Sequence, residues 1–487
     1  LPLYKKKETK MKKYFVKAFA LMLSGAIALS LAGCGAKVTY ESVYEDVPGS
    51  SGQTQSGSSS GGNSSSTNNS STGGQTSGGT VSGSSKMPSG KTNYTPDQFL
   101  DAMPKNLKGT TLKMFFWDDL RSTVYKDALN KFQEKTGIKV EIEIADKSTY
   151  GATLAARISA GKSPDIVKCI DNNVSSVANL QPITNSGYDF GDQNWDTDLM
   201  KLFTYNGKCY AANVQNSPNK NMGIFTYNKK ALKRANMGND DPYTIWKNNP
   251  SNWTWAKFWS MGDSFIKANN GKEGYYGSTW GTEDGYVKAF GVSLWRYDPN
   301  AGKTVNCSNT QEAVKRYGEI VDAINKKWST ATCDSTGFDS GKILFAWGYS
   351  SAAEKGSTAS ESLRKGNNLG FVPMPTDSKY TPLFETCAYG IPVGAKNAAA
   401  VPFFIRYIYS PESVKESDFY YNEEAKNVVT SVIKNNKFYF GNGYHYQIWQ
   451  DMISGNASNV KSVLDSYQGT INDSVTLANE SLKKLSK

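Results

Sequence analysis

Histidine is nearly absent from this chain of 487 residues, since His445 is its single copy. A Ser/His/Asp or Cys/His catalytic centre would have to use that residue, and a metal site with several imidazole ligands is impossible. The chain also lacks an Arg-rich stripe and any nucleic-acid-binding motif. These absences disfavour many enzyme classes and a nucleic-acid partner, and we expect neither a bound metal nor another cofactor.

Excess positive charge is also scarce once the N-terminus is set aside. The formal net charge is +11, but residues 1–33 contain seven lysines and a single acid, Glu8. The rest of the chain therefore carries an excess of only +5. We interpret this as ordinary surface charge, which gives no indication of an anionic partner.

Residues 11–33 have the features of a secretory signal peptide. Two lysines follow Met11, and an apolar stretch then leads to small residues. The uncharged run over 18–32 is about 15 residues, shorter than the roughly 20 that a membrane-spanning helix needs. The final Leu31-Ala32-Gly33-Cys34 resembles the lipobox of bacterial lipoproteins. This resemblance implies cleavage before Cys34 and a lipid such as palmitate on it, which would anchor the protein on the extracellular face of the cell membrane.

Residues 34–94 are predicted to be the anchor and a disordered linker. From 48 to 90 the chain is mostly Ser, Gly, Thr, Asn and Gln, which cannot form a core. A flexible coil of that length has a root-mean-square span of roughly 35 Å. Such a tether would let a folded domain work away from the membrane.

The folded part begins with alternating strands and helices. Apolar periodicity predicts strands at 111–117, 138–144 and 164–170, with helices at 122–135 and 150–160 between them. This β-α-β-α-β order is typical of a mainly parallel α/β layer.

In such sheets a ligand binds beyond the carboxyl ends of the strands. This rule places Trp117, Asp118 and Asp119, which follow the first strand, near Asp171, Asn172 and Asn173, which follow the third. Both groups combine the polar side chains that a ligand crevice requires.

Several short stretches, in the same order, resemble the family-1 extracellular solute-binding proteins of ABC importers, which include maltose-binding protein. They cover most of residues 110–410, and the last 75 or so residues match only loosely. The stretches are Phe132 with Thr136-Gly137-Ile138-Lys139-Val140, Gly161-Lys162-Ser163-Pro164-Asp165-Ile166-Val167, Leu180-Gln181-Pro182-Ile183, Tyr205-Asn206-Gly207-Lys208-Cys209-Tyr210, Tyr227-Asn228-Lys229, Trp253-Thr254-Trp255, 338–345, Pro373-Met374-Pro375, Gly390-Ile391-Pro392 and Ala395-Lys396-Asn397.

The resemblance implies a type II periplasmic-binding-protein-like α/β fold with two discontinuous lobes joined by a hinge. It places one lobe at 104–216 with 387–437 and the other at 217–386 with 438–487. It further implies a monomer that captures a small molecule, most often a saccharide, between the lobes and delivers it to ABC permease subunits.

Saccharides present apolar C–H faces and a rim of hydroxyls, so aromatic rings and carboxylate or amide groups should line the cleft. Trp117 is the expected first-lobe anchor and Trp347 with Tyr349 the second-lobe anchors, while Asp118 and Asp171 should accept from hydroxyls. The resemblance adds these candidates for the ligand site: Asn213, Gln215, Trp280, Glu283, Asp284, Glu385, Tyr389, Tyr444 and Tyr446.

Other residues of the same types are expected to be structural. Trp253, Trp255, Phe258 and Trp259 have helical spacing, which is typical of packing. Asp165 lies in an apolar strand, where it should accept hydrogen bonds from backbone donors. The five cysteines after Cys34 are expected to be mostly free thiols, with Cys307 and Cys333 as the exception to test.

Three other functions remain open at this stage. The same fold could bind a non-sugar solute such as a peptide, or a surface adhesin could hold glycan without transport. An enzyme acting on glycans would need paired carboxylates such as Asp118 with Asp119 or Glu283 with Asp284. Because neighbouring residues rarely flank a glycosidic bond from opposite sides, we do not expect an enzyme.

Overall fold

The computed structural model describes residues 94–485, apart from 147–148, 170–176, 192, 220–221, 281–284, 299, 376–386 and 436–444. The predicted signal peptide, Cys34 and linker lie outside the described residues.

Strands and helices alternate along the described chain. The strands are β1 Thr111–Phe116, β2 Lys139–Ile144, β3 Ile166–Cys169, β4 Leu180–Gln181, β5 Thr204–Tyr205, β6 Lys208–Cys209, β7 Ala211–Ala212, β8 Gly223–Asn228, β9 Tyr276–Trp280, β10 Trp295–Asp298, β11 Lys303–Asn306, β12 Ile343–Tyr349, β13 Leu369–Pro373 and β14 Ala388–Pro392. The helices are α1 Pro96–Asp101, α2 Lys126–Thr136, α3 Tyr150–Ser159, α4 Thr197–Leu202, α5 Lys229–Arg234, α6 Pro242–Asn248, α7 Trp255–Ala268, α8 Gly285–Phe290, α9 Gln311–Asn325, α10 Ser335–Ser340, α11 Glu361–Lys365, α12 Val401–Ile408, α13 Glu416–Phe419, α14 Glu423–Asn435, α15 Tyr446–Ile453, α16 Val460–Ser466 and α17 Gln468–Leu485.

Local sequence explains where the first elements begin and end. Thr95 caps α1 in a reciprocal capping box with Gln98, and Pro96 stands at the first helical position, where its missing N–H costs nothing. Gly137 ends α2 with φ 67°, a left-handed conformation that favours glycine. The predicted β-α-β-α-β order of this region is confirmed.

The first sheet has the order β2-β1-β3-β14-β4, with β7 also paired to β14. β1 pairs in parallel with β2 and β3, as predicted, whereas β14 runs antiparallel to β3. The carboxyl ends of β1 and β3 therefore meet at the same edge of the sheet.

The second sheet has the order β13-β8-β12-β9. β8 is antiparallel to both neighbours, and β12 is parallel to β9. Helix α7 covers one face of this sheet: Trp255 and Phe258 of α7, and Trp253 just before it, are fully buried, and Trp259 packs against them. Their predicted packing role is confirmed.

Each sheet has its own hydrophobic core, and three pairs of described residues mark where the chain changes core: Val214 and Met222, Met374 and Tyr389, and Phe419 and Ala425. One helix packs on the second lobe although the predicted boundary assigned it to the first. β14 and α12 belong to the first core, but α14 packs on β13 through Ala425, Val428 and Val429. The predicted first-lobe segment 387–437 therefore has to end before α14, because an apolar helix face does not specify which sheet it will cover.

The C-terminal helix α17 contacts both lobes. Ile471 near its start belongs to the second core, whereas Leu482 near its end is buried in the first lobe beside Tyr205 and Tyr210. Asn479 fixes α17 to β11 by bonding the backbone N–H and carbonyl of Thr304 at 2.7 and 2.9 Å. The lobes are thus joined by a contact in addition to the crossings.

The cysteines agree with the sequence analysis. Cys169, Cys209, Cys307, Cys333 and Cys387 are all free thiols. The pair Cys307 and Cys333, which was the expected exception, forms no bridge, and burial raises the pKa of both thiols.

Candidate functional site

Trp117 lies directly beyond β1 and is held in place by Tyr150 of α3. The Trp117 ring is half-buried and meets the Tyr150 ring edge-on, with centroids 4.8 Å apart. The Tyr150 hydroxyl bonds the backbone of both β1 and β3, at 3.1 Å from the Phe115 carbonyl and from the Lys168 N–H. Trp117 therefore has a fixed orientation and an accessible surface, which is what a stacking platform needs.

A buried lysine in β3 completes this part of the site. Lys168 is 9% exposed and its ammonium donates to the carboxylate of Asp118, whose side chain is 40% exposed. The same ammonium lies 5.1 Å from the centroid of the Trp117 ring, within range of a cation–π interaction. Burial opposes the charged form of Lys168, but Cys387 and Asp118 nearby raise its pKa overall. The lysine thus stays protonated and paired with Asp118.

Asp119 has a different role from its neighbour. Its carboxylate forms two 2.8 Å bonds to the Arg121 guanidinium and caps the short turn that starts at Leu120. The side-chain bond from Arg121 lowers the pKa of Asp119. Both carboxylate oxygens of Asp119 bond Arg121, whereas Asp118 uses one oxygen on Lys168 and is more exposed, 40% against 30%, so Asp118 is the better candidate for ligand contact.

Two other first-lobe candidates, Asn213 and Tyr389, form hydrogen bonds near the segments that connect the two lobes. Asn213 is fully buried and its amide donates to the Cys387 carbonyl at 2.6 Å. Tyr389 is fully buried, stacks on Tyr409 with centroids 4.2 Å apart, and accepts a hydrogen bond from Asn219. Both are placed to fix the hinge, and neither presents an exposed ring or amide to a ligand in this structure.

The second-lobe anchors are much less exposed than the stacking prediction requires. Trp347 is 1% exposed and Tyr349 7%, with their rings 5.1 Å apart inside the second core. Trp280 is 1% exposed and donates to the Ser329 hydroxyl at 2.7 Å. Trp347 and Tyr349 lie at the carboxyl end of β12, as expected, but strand alternation directs them into the core, so we correct their role to packing in this conformation.

An apolar pocket opens beside the end of β12. Its empty volume is about 690 Å³, including the solvent at its mouth. Trp347, Gly348 and Tyr349 form part of its wall, together with Phe338 and Leu369. The second lobe therefore offers a concave apolar surface even though its tryptophan faces are covered.

The remaining candidates divide into two groups. Gln215 is exposed, and Tyr446 is 43% exposed at the start of α15. The other predicted ligand residues lie outside the described residues: Asp171, Asn172, Asn173, Glu283, Asp284, Glu385 and Tyr444.

Two residues of the site were missed by the sequence analysis. Lys168 interrupts an otherwise apolar strand, and a charge in such a strand was a usable signal. Glu354 of the second lobe gave no signal, since it lies in a loop of small and polar residues. Loss of hydration raises the pKa of Glu354 to about 7. The charge of Lys168 opposes this rise, and the charge of Asp118 adds to it. The loop that carries Glu354 is tied to the first core, because the backbone N–H of Lys355 donates to the carbonyl of Phe419 at 2.7 Å.

The chain belongs to a family of known proteins. A family model described as bacterial extracellular solute-binding protein matches residues 127–420, more than half of the chain. The chain is therefore a member of this family, and its two-lobed α/β fold is that of a solute-binding protein. No curated protein matches the chain.

Solved structures share the fold over most of the chain. The galacto-N-biose-/lacto-N-biose I-binding protein of Bifidobacterium longum is 14% identical, with a TM-score of 0.54 over 78% of this chain and 98% of that one. An ABC transporter solute-binding protein of Thermotoga lettingae is 15% identical, with a TM-score of 0.50 over 77% and 99%. An extracellular solute-binding protein of Staphylococcus aureus is 16% identical, with a TM-score of 0.50 over 77% and 97%.

Among the helices of the described residues, none combines the length and the apolar character that a membrane crossing needs.

Proposed function

We propose that this solute-binding protein captures an oligosaccharide between its lobes and delivers it to the permease of an ABC transporter. The observation that carries the proposal is the arrangement at the end of β1. A half-buried tryptophan ring, packed against Tyr150, stands beside the bonded carboxylate and ammonium of Asp118 and Lys168. An aromatic face next to paired donors and acceptors suits the C–H face and hydroxyl rim of a sugar ring.

The ligands of the structural neighbours support this choice. The Bifidobacterium longum protein was solved with lacto-N-biose, the Thermotoga lettingae protein with α-D-tagatose and the Staphylococcus aureus protein with maltose. At 14–16% identity these neighbours share the fold with our chain, so they make a saccharide the first class to test.

Closure of the lobes would couple binding to transport. A ligand that contacts Trp117 and Asp118 on one lobe and the β12 end on the other stabilises the closed form, because both sets of contacts exist only when the cleft is shut. The permease can then distinguish loaded from empty protein by shape.

The test is a calorimetric titration against a panel of neutral oligosaccharides and short peptides. We expect a saccharide to bind the wild type, and Trp117→Ala to lose about 2 kcal/mol, roughly thirtyfold in affinity, as expected for a stacking anchor. Tyr275→Ala is the control, since Tyr275 is a part-buried aromatic that packs against Phe265 of α7 and is not a candidate for the ligand site. If a peptide binds and no sugar does, the ligand class is a peptide and the saccharide proposal is wrong. Hydrolysis of the sugar during the titration would indicate an enzyme.

We further propose that Cys34 carries a lipid that anchors the protein outside the cell. Metabolic labelling with a fatty acid should mark the wild type but not Cys34→Ala, because the Leu31-to-Cys34 motif provides a single acceptor thiol. Cys209→Ala is the control and should be labelled like the wild type. Equal labelling of the Cys34→Ala variant would contradict the proposal.

A further inference from the structure

The loop over 352–360 forms one wall of the apolar pocket beside the end of β12. It contributes Ala352, Ser357, Ala359 and Ser360 to the lining of that pocket. The loop consists of small, polar and charged residues and contains no large apolar side chain. Because such side chains bury little apolar surface, packing alone cannot fix the conformation of this wall.

Arg364 of α11 holds the loop through its guanidinium. Its Nε donates to the Ala359 carbonyl at 3.0 Å, and its Nη2 donates to the carbonyls of Ala352 and, at 2.9 Å, of Glu354. The three acceptors span the loop, and the arginine that reaches them is buried. Since a guanidinium presents its donors in one rigid plane, this single side chain sets the positions of both ends of the loop relative to each other.

The same loop is bonded to the segment 419–421, which connects the two cores. The Lys355 N–H donates to the Phe419 carbonyl at 2.7 Å, and the Tyr421 N–H donates to the Ala353 carbonyl at 2.8 Å. The Tyr421 ring lies against the Arg364 guanidinium, 4.6 Å from Cζ to the ring centroid, and its hydroxyl donates to the Arg364 carbonyl at 2.7 Å. Phe419 belongs to the first core, whereas Tyr421 packs against the second. A rotation of one lobe about this segment therefore acts directly on the loop.

We propose that Arg364 is a positioning residue for ligand binding, which holds the 352–360 loop as the second-lobe wall of the ligand site and couples that wall to lobe closure at 419–421. This inference rests on the proposed saccharide function and identifies the second-lobe contact of the sugar. Ser357 and Ser360 bring to the wall hydroxyl groups that can exchange hydrogen bonds with a sugar. Arg364 itself acts through the loop, because its guanidinium is engaged with backbone carbonyls.

Arg364→Lys tests the role of the guanidinium, because lysine keeps the charge but lacks the planar set of donors. In this variant the ligand has to order the loop each time it binds, which lowers affinity. We expect the oligosaccharide that binds the wild type best to bind the variant about tenfold more weakly, mainly through faster dissociation. Stopped-flow and calorimetric titrations measure the two rates and the affinity.

Limited digestion with trypsin measures the order of the loop directly, because Lys355 is exposed within it. The wild type should resist cleavage after Lys355, and Arg364→Lys should be cut there. The oligosaccharide should restore resistance to the variant. This protection distinguishes a positioning role from a purely structural one, since a loop remote from the ligand would stay open to cleavage. Cleavage after Lys327, in the exposed turn that follows α9, is the internal reference.

Arg234→Lys is the matched control. Arg234 also donates to backbone carbonyls of the second lobe, those of Ser340 at 3.1 Å and Gly341 at 2.7 Å, which lie outside the loop. This variant should bind the oligosaccharide like the wild type. An equal loss of affinity in both variants would mean that general loosening of the second lobe, and not the loop, weakens binding, and would overturn the inference.

Tyr421→Phe provides the same test if Arg364→Lys does not fold, because it removes the hydroxyl bond to Arg364 and keeps the ring. It should show the same faster dissociation and the same cleavage after Lys355. Wild-type affinity in the variants, or cleavage after Lys355 that the oligosaccharide does not suppress, overturns the inference but leaves the saccharide function standing. Failure of every saccharide to bind the wild type would overturn both.

Discussion

Replacing Trp347 by alanine is expected to reduce the free energy of unfolding by about 3–5 kcal/mol, the range for a buried tryptophan. The Trp347 ring is 1% exposed, contacts Tyr349 and packs so tightly that a Cβ on Gly285 would lie 2.8 Å from it. The loss would come from the cavity that the ring leaves in the second core. Denaturant unfolding of wild type and variant measures it.

The comparison with Trp117→Ala separates packing from binding. Trp117 is half-buried, so its removal should cost much less stability while it weakens ligand affinity. If Trp347→Ala unfolds like the wild type and instead loses affinity for the sugar, then Trp347 is a ligand anchor and the packing role is wrong.

Asp165→Ala should be the most damaging single change to the first lobe. This buried carboxylate accepts from the backbone N–H groups of Lys113, Lys396 and Asn397 at 2.8–2.9 Å. It thereby joins β1 to the turn that follows β14. Without it three backbone donors lose their acceptor, and we expect a loss of about 3 kcal/mol or more, since each unsatisfied buried donor costs roughly 1–3 kcal/mol.

Thermal and denaturant unfolding again provide the measurement. Asp465→Ala is the control, because Asp465 is 48% exposed and pairs only with Lys461 on the same helix, an interaction worth about 0.5 kcal/mol or less. A loss below about 1 kcal/mol for Asp165→Ala would show that other groups satisfy these donors.

The structural role of Asp165 could be predicted because a carboxylate inside an apolar strand must be satisfied locally. The alternation of strands and helices over 111–169 was likewise visible, since both periodicities are local properties of the chain. The packing of Trp255 and Phe258 followed from helical spacing, whereas Trp253 is buried although it precedes the helix. The first-lobe half of the candidate site, at the end of β1, followed from the rule for parallel strands.

The second-lobe half could not be predicted in the same way. Trp347 and Phe345 lie two positions apart on β12, and both are buried, whereas the face of the sheet that meets the core depends on pairing with β8. The loop that carries Glu354 meets the first core only because the backbone N–H of Lys355 bonds the carbonyl of Phe419. Contacts of this kind join residues far apart in sequence, and no local pattern encodes them.

The central claim is that a sugar ring rests on Trp117 between the two lobes. A crystal structure of the protein with the best-binding oligosaccharide tests it most directly. We expect a sugar face on the Trp117 ring, a hydroxyl bonded to Asp118 and Lys168, and contacts from the second lobe near the end of β12. A saccharide bound elsewhere on the molecule, with Trp117 still free, would contradict this account.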